Sequence, residues 1–224
     1  MEHPRESLNP VVKAQTDQPF ALPFWRWVGD RGMRVATGEA TLTCYGELIS
    51  QKLREIEDII PADDSLLVIL RPGAVPSAAL QAALTSTAKE RPSLNGKLHL
   101  IPVEYGGAAG PDLLDLAVRA GLDVASYINR HAAAEYTVAF LGFQPGFPYL
   151  NGLPGALQAP RRLTPRVRVE AGSVAIGGRY AGIYPASGPG GWQIIGHTTV
   201  VLFDPQRDPP TLLLPGDRLR FVPR

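Results

Sequence analysis

Residues 171–203 read AGSVAIGGRYAGIYPASGPGGWQIIGHTTVVLF, and glycine- and proline-rich turns separate the apolar runs within them. Four short strands are therefore predicted here, at Ser173–Ile176, Gly182–Tyr184, Gln193–Ile195 and Thr199–Phe203. Many short strands with frequent turns are typical of a closed or nearly closed β-barrel.

Further strands are predicted on both sides of this stretch. Tyr136–Phe143 is apolar on both faces, as expected in a barrel wall. Thr211–Leu214 and Arg218–Val222 follow it, and Pro215-Gly216-Asp217 forms a tight turn before the last strand. Lys97–Tyr105 is also strand-like. The C-terminal half is therefore predicted to be a β-barrel.

Two short helices are predicted between Tyr105 and Tyr136. Gly110-Pro111-Asp112 opens the first helix, because proline at a helix start loses no needed N–H group. Gly121 suits the position after its last turn. Asp123 is placed to cap a second helix that reaches about His131.

The N-terminal half has a different pattern, with strand-like and helical segments in alternation. The predicted elements are two strands, a helix, one or more strands and a helix, at Phe24–Val28, Met33–Ala36, Leu42–Ile56, Ser65–Leu70 and Pro76–Lys89. This order indicates a small α+β sandwich. The fold class is thus α+β, with a mobile arm over 1–22, an N-terminal α+β domain over 23–94 and a barrel domain over 95–224.

The composition excludes several classes of protein. The formal net charge of the 224 residues is +1, which argues against a nucleic-acid partner. Cys44 is the single cysteine, so no disulfide forms within the chain. No run approaches the roughly 20 apolar residues that span a bilayer, and the start lacks a signal-peptide pattern. We expect a cytoplasmic protein with no membrane partner.

The segment between Phe143 and Ser173 follows no secondary-structure pattern and is rich in proline and apolar residues. We expect an ordered loop wrapped on the barrel. Its arginines are Arg161, Arg162, Arg166 and Arg168, and no carboxylate side chain occurs between Glu135 and Glu170. Guanidinium groups match carboxylate or phosphate. The arginines therefore indicate an anion site, or else a solvated loop or ion pairs with acids elsewhere in the fold.

Glycine pairs mark another candidate ligand surface. Gly190 and Gly191 let the backbone approach a ligand and aim N–H groups at an anion, although turn or bulge geometry between barrel strands is the simpler explanation. Trp192 follows them and either stacks on a flat ligand or packs in the core. The sequence contains no phosphate-binding loop motif and no metal-ligand motif, so no metal is predicted.

Catalytic side chains are harder to identify. His131 lies at a predicted helix end and Ser173 at a strand start, where structural roles are the simpler explanation. The predicted catalytic residues are His131 and Ser173, and the predicted substrate- and anion-binding residues are Arg161, Arg162, Arg166, Gly190, Gly191 and Trp192.

Five motifs follow one another in the C-terminal half: GFQPGFPYL at 142–150, PRRLTPR at 160–166, AGSVAI at 171–176, GIYP at 182–185 and PGGWQIIG at 189–196. In this order they resemble the KipI/PxpB family, also called allophanate hydrolase subunit 1. The resemblance covers about residue 97 to the end, whereas the N-terminal half matches loosely.

The resemblance implies a cyclophilin-like β-barrel for residues 95–224. It implies the B subunit of the bacterial ATP-dependent 5-oxoprolinase, which acts on a small lactam together with a homologous C subunit plus an A subunit. ATP is then a co-substrate at a site shared with the partner subunit. Relatives imply two alternatives, namely a part in allophanate or urea-amide hydrolysis and inhibition of a sensor histidine kinase.

Overall fold

The structure is a computed structural model that describes residues 24–85 and 96–224. The arm predicted over 1–22 and the boundary predicted between 94 and 95 lie outside the described residues. The first described range contains β1 (Phe24–Val28), β2 (Gly32–Ala36), α1 (Thr41–Gln51), β3 (Ile56–Ala62), β4 (Ser65–Leu70) and α2 (Ala78–Thr85).

These N-terminal strands form an antiparallel sheet in the order β1-β2-β4-β3. The sheet and both helices share one core, to which Met33, Leu66, Leu48 and Leu80 contribute buried side chains. The predicted α+β sandwich is confirmed.

The first helix is shorter than its apolar spacing predicts. It ends at Gln51, because Lys52 adopts a left-handed conformation with φ of 48°. Leu53 and Ile56 still pack against the core, but from a turn and from the start of β3. The prediction of a helix through Ile56 was therefore wrong. Of the second predicted helix, residues 86–89 lie outside the described residues.

The second described range contains two helices and nine strands. They are β5 (Leu98–Tyr105), α3 (Leu113–Arg119), α4 (Val124–Ala133), β6 (Tyr136–Leu141), β7 (Pro148–Asn151), β8 (Arg166–Val169), β9 (Ser173–Gly177), β10 (Tyr180–Ile183), β11 (Gly188–Gly190), β12 (Gln193–His197) and β13 (Arg218–Pro223).

Seven of these strands close a barrel in the order β10-β7-β6-β13-β5-β12-β9, with β9 paired to β10. Only the β5–β13 pair in this barrel is parallel, and it places the last strand between β5 and β6. Strands β8 and β11 form a separate two-stranded sheet. The predicted barrel is confirmed.

Helix α4 begins as the sequence predicts, whereas α3 begins at Leu113, so Pro111 is not its first residue as predicted. Asp112 precedes the first residue of α3, and Gly121 has a positive φ of 66° just beyond its end. The Oδ1 atom of Asp123 accepts a 2.7 Å hydrogen bond from the backbone N–H of Ser126 and so caps α4. Buried side chains of both helices, such as Leu116 and Tyr127, belong to the barrel core.

Three predictions about the barrel segments were wrong. The segment after Phe143 is not free of regular structure, because it supplies barrel strand β7 and also β8. Thr199–Phe203 and Thr211–Leu214 form no strands and share a single bridge between Phe203 and Thr211. Their apolar residues Leu202 and Leu213 reach the core from irregular backbone instead.

The N-terminal sheet and the barrel meet at a polar contact. The Asp63 carboxylate, in the turn between β3 and β4, accepts hydrogen bonds from the Arg179 guanidinium and, over 2.7 Å, from the Tyr180 hydroxyl. Burial, followed by the bond to Asp63, raises the pKa of Tyr180 to about 12. Because Arg179 and Asp63 are half exposed, we expect this ion pair to contribute little stability.

Candidate functional site

A cleft of about 300 Å³ opens on the barrel domain between the segment that follows β7 and the segment that joins β10 to β12. Its walls are mostly aromatic rings and prolines, with two arginines and two glycines among them. The lining residues are Phe143, Tyr149, Arg161, Arg162, Pro165, Tyr184, Pro189, Gly190, Gly191 and Trp192.

The aromatic wall is built around Trp192, which is buried. Phe147 and Tyr149 contact the Trp192 ring edge-on, with centroids 5.3 Å and 5.5 Å away. Gly177 leaves room for the ring, because a Cβ atom there would lie 2.4 Å from it. The indole is therefore held in one position by packing from several strands.

Phe143 stands at the mouth of the cleft in an unusual conformation. Its φ of 67° is in the left-handed region, which a bulky residue rarely adopts. Its ring is largely exposed, although it contacts Phe147 and Tyr184 edge-on. Such local strain is found most often at functional sites.

The arginines of the 160–168 segment have different surroundings. Arg161 lies over the Trp192 ring, and its Cζ atom is 5.6 Å from the ring centroid. No carboxylate in the described part of the chain forms an ion pair with Arg161. Arg168 pairs with exposed Glu170 over 2.7 Å. Arg161 is thus a cation at the cleft wall whose guanidinium is available to an anion.

Arg162 and Arg166 are held by one buried carboxylate. The Oδ1 atom of Asp112 accepts hydrogen bonds from Arg162 Nη1 over 3.1 Å and from Arg166 Nη2 over 2.7 Å. The sequence contains no acid near these arginines. In the structure both side chains pair with an acid from another segment, which is one of the predicted alternatives. Arg162 lines the cleft, whereas Arg166 does not.

Gly190 and Gly191 shape the opposite wall. A Cβ atom on Gly190 would lie 2.3 Å from the Tyr184 hydroxyl oxygen, so this position requires glycine. The carbonyl of Gly191 accepts a 2.7 Å hydrogen bond from the backbone N–H of Arg162. This bond ties the arginine segment to the glycine segment across the cleft.

His131 lies in the barrel core and does not line the cleft. Its ring is fully buried, stacks on Phe221 and bonds through Nδ1 to the Tyr105 hydroxyl over 2.8 Å. Burial lowers the pKa of His131 to about 3. The structure therefore places this side chain as a neutral core residue, outside any contact with a ligand in the cleft.

Ser173 is also buried and lies outside the cleft lining. It occupies the first position of β9 opposite His197, and its carbonyl accepts a hydrogen bond from the backbone N–H of Tyr184 over 3.0 Å. Of the eight predicted site residues, the structure brings together Arg161, Arg162, Gly190, Gly191 and Trp192.

Sequence reasoning missed the carboxylate of Asp112 and the hydroxyl-bearing wall of Tyr149 and Tyr184. One signal for Asp112 was available, since the arginine-rich segment lacks acids and an acid from another segment has to approach it. Histidine, cysteine and acidic side chains form no cluster that could hold a metal ion among the described residues. Within the same residues, no helix is long and apolar enough to cross a membrane.

Comparisons with known proteins agree with this architecture. The family profile "Carboxyltransferase domain, subdomain C and D" matches residues 25–213. A curated protein of Escherichia coli O157:H7, named as the B subunit of 5-oxoprolinase, is 59% identical over 124 residues, which are 55% of this chain and 57% of that protein. A Haemophilus influenzae protein of the same name is 53% identical over 54% of this chain and 57% of that protein.

The chain therefore spans little more than half the length of the curated relatives it matches. Among solved structures, that of TTHA0988 is 35% identical with a TM-score of 0.72, over 87% of this chain and 40% of that chain. PH0987 from Pyrococcus horikoshii is 34% identical with a TM-score of 0.56, over 90% of this chain and 97% of that chain. The Kluyveromyces lactis urea amidolyase, at 22% identity and a TM-score of 0.65, shares the fold.

Proposed function

The chain belongs to the carboxyltransferase subdomain C and D family, and with it to the KipI/PxpB family; on this premise we propose that it is the B subunit of an ATP-dependent 5-oxoprolinase. The complex would open 5-oxo-L-proline to L-glutamate together with a homologous C subunit plus an A subunit. ATP would be a co-substrate in the cytoplasm, at a site shared with a partner subunit.

The observation that carries this proposal is the position of Arg161 over Trp192 at the cleft wall. A lactam ring is flat and carries a carboxylate in 5-oxoproline. The indole and the prolines offer flat apolar surfaces to such a ring, and Arg161 offers a planar fork to its carboxylate or to a transferred phosphoryl group.

Lactam hydrolysis needs stabilisation of negative charge more than it needs a strong nucleophile. In the proposed reaction the terminal phosphoryl group of ATP moves to the lactam oxygen and ADP leaves. One water then adds at that carbon and the C–N bond breaks, which frees the amine and leaves an acyl phosphate. A second water hydrolyses the acyl phosphate to the carboxylate and phosphate. Arg161 and Arg162 are the cations of the cleft that would face the developing charge.

The described cleft is incomplete as a catalytic centre. Its lining holds no histidine, carboxylate, serine or cysteine, so no base is available within it to activate water. His131 and Ser173 lie elsewhere and stay outside this proposal. The base would therefore come from a partner subunit that closes over the cleft.

A surface for that partner lies beside the cleft. Leu163 and Val167 belong to the arginine-bearing segment and are almost fully exposed, and Phe143 is exposed at the cleft mouth. Exposed apolar groups that cluster around a polar cleft favour a protein contact. The proposed occupant is the C subunit, since a partner bound here would also reach the cleft.

The decisive experiment assays 5-oxoproline-dependent ATP hydrolysis by the purified chain, alone and with its C and A partners. We expect activity only from the complex. Arg161→Gln should lower kcat/KM at least about tenfold, whereas Arg168→Gln, which alters an exposed pair outside the cleft, should change it less than about twofold. Full activity from the chain alone, or equal effects of both variants, contradicts the proposal.

A further inference from the structure

Asp112 is the one carboxylate that touches the arginines of the cleft among the described residues. Its side chain is buried, with 6% of the residue exposed. Besides the two guanidiniums on Oδ1, its Oδ2 atom accepts a 2.6 Å hydrogen bond from the backbone N–H of Ile194. All three partners donate, and two of them are charged, so the carboxylate is fully committed.

The backbone around Asp112 is fixed against barrel strand β12. The backbone N–H of Asp112 donates to the carbonyl of Ile194 over 3.0 Å, and that of Gly106 donates to the carbonyl of Ile195 over 3.1 Å. At Gly110 the two segments approach so closely that a Cβ atom would lie 2.1 Å from the Ile195 carbonyl oxygen. The carboxylate is thus attached to a rigid part of the barrel.

Arg162 needs such an anchor because it reaches the cleft from an irregular segment. It lies between the short helical turn at Gly155–Leu157 and strand β8, and its next neighbour is the exposed Leu163. A free arginine side chain loses roughly 2 kcal/mol of rotamer entropy when it is fixed. A carboxylate that already holds it lowers this cost for a ligand.

Arg166 has a different part in the arrangement. It donates to the same Oδ1 atom but does not line the cleft. Two guanidiniums and one carboxylate leave one positive charge, which Arg162 presents at the wall next to Arg161. Arg166 therefore acts on the carboxylate and not on a ligand.

We propose that Asp112 is a positioning residue, which together with Arg166 fixes the Arg162 guanidinium at the cleft wall ready for an anionic oxygen. The consequence for binding rests on the proposed function, but the position of Arg162 does not. Arg161, without an acid partner in the described residues, is the adaptable cation of the cleft, and Arg162 is the fixed one.

The first test observes Arg162 directly. Its Nε atom is buried, so the Nε–H proton exchanges slowly and gives an NMR signal, which is assigned by its disappearance in Arg162→Lys. Asp112→Asn should move this signal to the averaged position of exposed arginines. Asp115→Asn, at an exposed acid of the same helix, is the matched control and should leave the signal in place.

Arg166→Gln provides a second variant in case Asp112→Asn fails to fold. It frees the shared Oδ1 atom from one donor, so the Arg162 signal must shift here as well. An Arg162 signal that keeps its wild-type position in whichever of the two variants folds overturns the proposal, whatever the protein binds.

The second test uses the chain assembled with its C and A partners. It measures the affinity for 5-oxo-L-proline by the fluorescence of Trp192, with Trp192→Phe as the blank. Asp112→Asn should weaken binding about tenfold, as expected for loss of a charge-assisted contact. Arg162→Gln added to Asp112→Asn should then weaken binding little further. Arg161→Gln added to Asp112→Asn should weaken binding by a further factor of its own.

The outcomes separate the two proposals. A wild-type complex with the C and A partners that does not bind 5-oxo-L-proline, with the Arg162 signal displaced in Asp112→Asn, contradicts the proposed function and leaves the positioning role intact. Wild-type binding with equal affinity in Asp112→Asn overturns the role of Asp112. A lower thermal midpoint with unchanged affinity and an unchanged Arg162 signal would mean that Asp112 is merely structural.

Discussion

The guanidinium carbon of Arg161 lies 5.6 Å from the centroid of the Trp192 ring, at the wall of a cleft on the barrel domain. A cation over an indole is stabilised by the ring, by about 0.5–1 kcal/mol where water reaches it. Arg161 is thus held near one place without an acid partner in the described residues, which keeps its N–H donors free for an anion.

The position of Arg161 over Trp192 predicts that a positive charge alone is insufficient for binding 5-oxo-L-proline. Arg161→Lys keeps the positive charge but loses the planar fork and most of the stacking on Trp192. We expect the affinity for 5-oxo-L-proline to fall about 3- to 10-fold, less than in Arg161→Gln. Isothermal titration of the three proteins checks this order. Equal affinities of the lysine variant and the wild type would show that the fork has no part in binding.

The exposed face beside the cleft makes a separate prediction about assembly. Val167→Asp should weaken, at least about tenfold, co-purification with the C subunit, since a carboxylate would be desolvated in the contact. Val75→Asp is the control, because Val75 is also an exposed valine but lies on the N-terminal domain. Equal recovery of the partner with both variants would rule out this face as the contact.

The packing of Trp192 predicts a large effect from one added methyl group. In Gly177→Ala the Cβ atom would meet the indole at 2.4 Å, so the ring or the strand must shift. We expect about 1–3 kcal/mol lower free energy of unfolding and a change in tryptophan emission. Gly155→Ala, where nothing lies within 4 Å of the added atom, should be nearly neutral.

The buried His131 predicts a loss of stability in acid. Burial lowers its pKa to about 3 in the folded protein, compared with an ordinary value of 6.5. Between these values the unfolded chain binds a proton that the folded protein does not, so stability falls as the pH falls from 6.5 towards 3, by roughly 1 kcal/mol per pH unit.

Replacing this ring isolates its contribution. His131→Phe keeps a ring against Phe221 without the titrating group, and should flatten the decline in the free energy of unfolding between pH 6.5 and pH 3. Urea unfolding at several pH values measures it, with a reference at about pH 7.5, where the histidine is neutral in both states. The same decline in both proteins would show that other groups cause it.

The Asp217 carboxylate joins the turn before β13 to the residue that precedes β5. It accepts from the backbone N–H groups of Lys97 and Leu214, over 2.8 Å and 3.0 Å, and contacts His99 Nε2 at 3.1 Å. Asp217→Ala leaves these partly buried donors without this acceptor and should lower the free energy of unfolding by about 1–3 kcal/mol. Asp217→Asn retains one oxygen and should lose less; identical losses would contradict this account.

Much of this fold was predictable because it depends on local patterns. The strand pair Phe24–Val28 and Met33–Ala36, the cap at Asp123 and the glycine after α3 all follow from neighbouring residues. The errors arose where apolar spacing has more than one solution. Ile56 keeps the helical period but lies in a strand, since a turn at Lys52 leads it to the same core.

The site was predictable in its arginines and glycines but not in their roles. The sequence places Arg161, Arg162 and Arg166 in one segment, yet Arg162 and Arg166 are held by Asp112, about fifty residues earlier, and Arg161 lies over Trp192. Long-range pairing of this kind leaves no periodic signal. For His131 the sequence could not show that the helix end turns inward to the barrel core, where burial removes its charge.

The parallel pairing of β13 with β5 sets the stage of synthesis at which the barrel can close. Residues 218–223 lie between β5 and β6 and pair with both strands. During synthesis Asp112, Arg162 and Arg166 have therefore all left the ribosome before β13 can close the barrel. Closure of the barrel therefore depends on β13, and contacts of such long sequence separation form slowly.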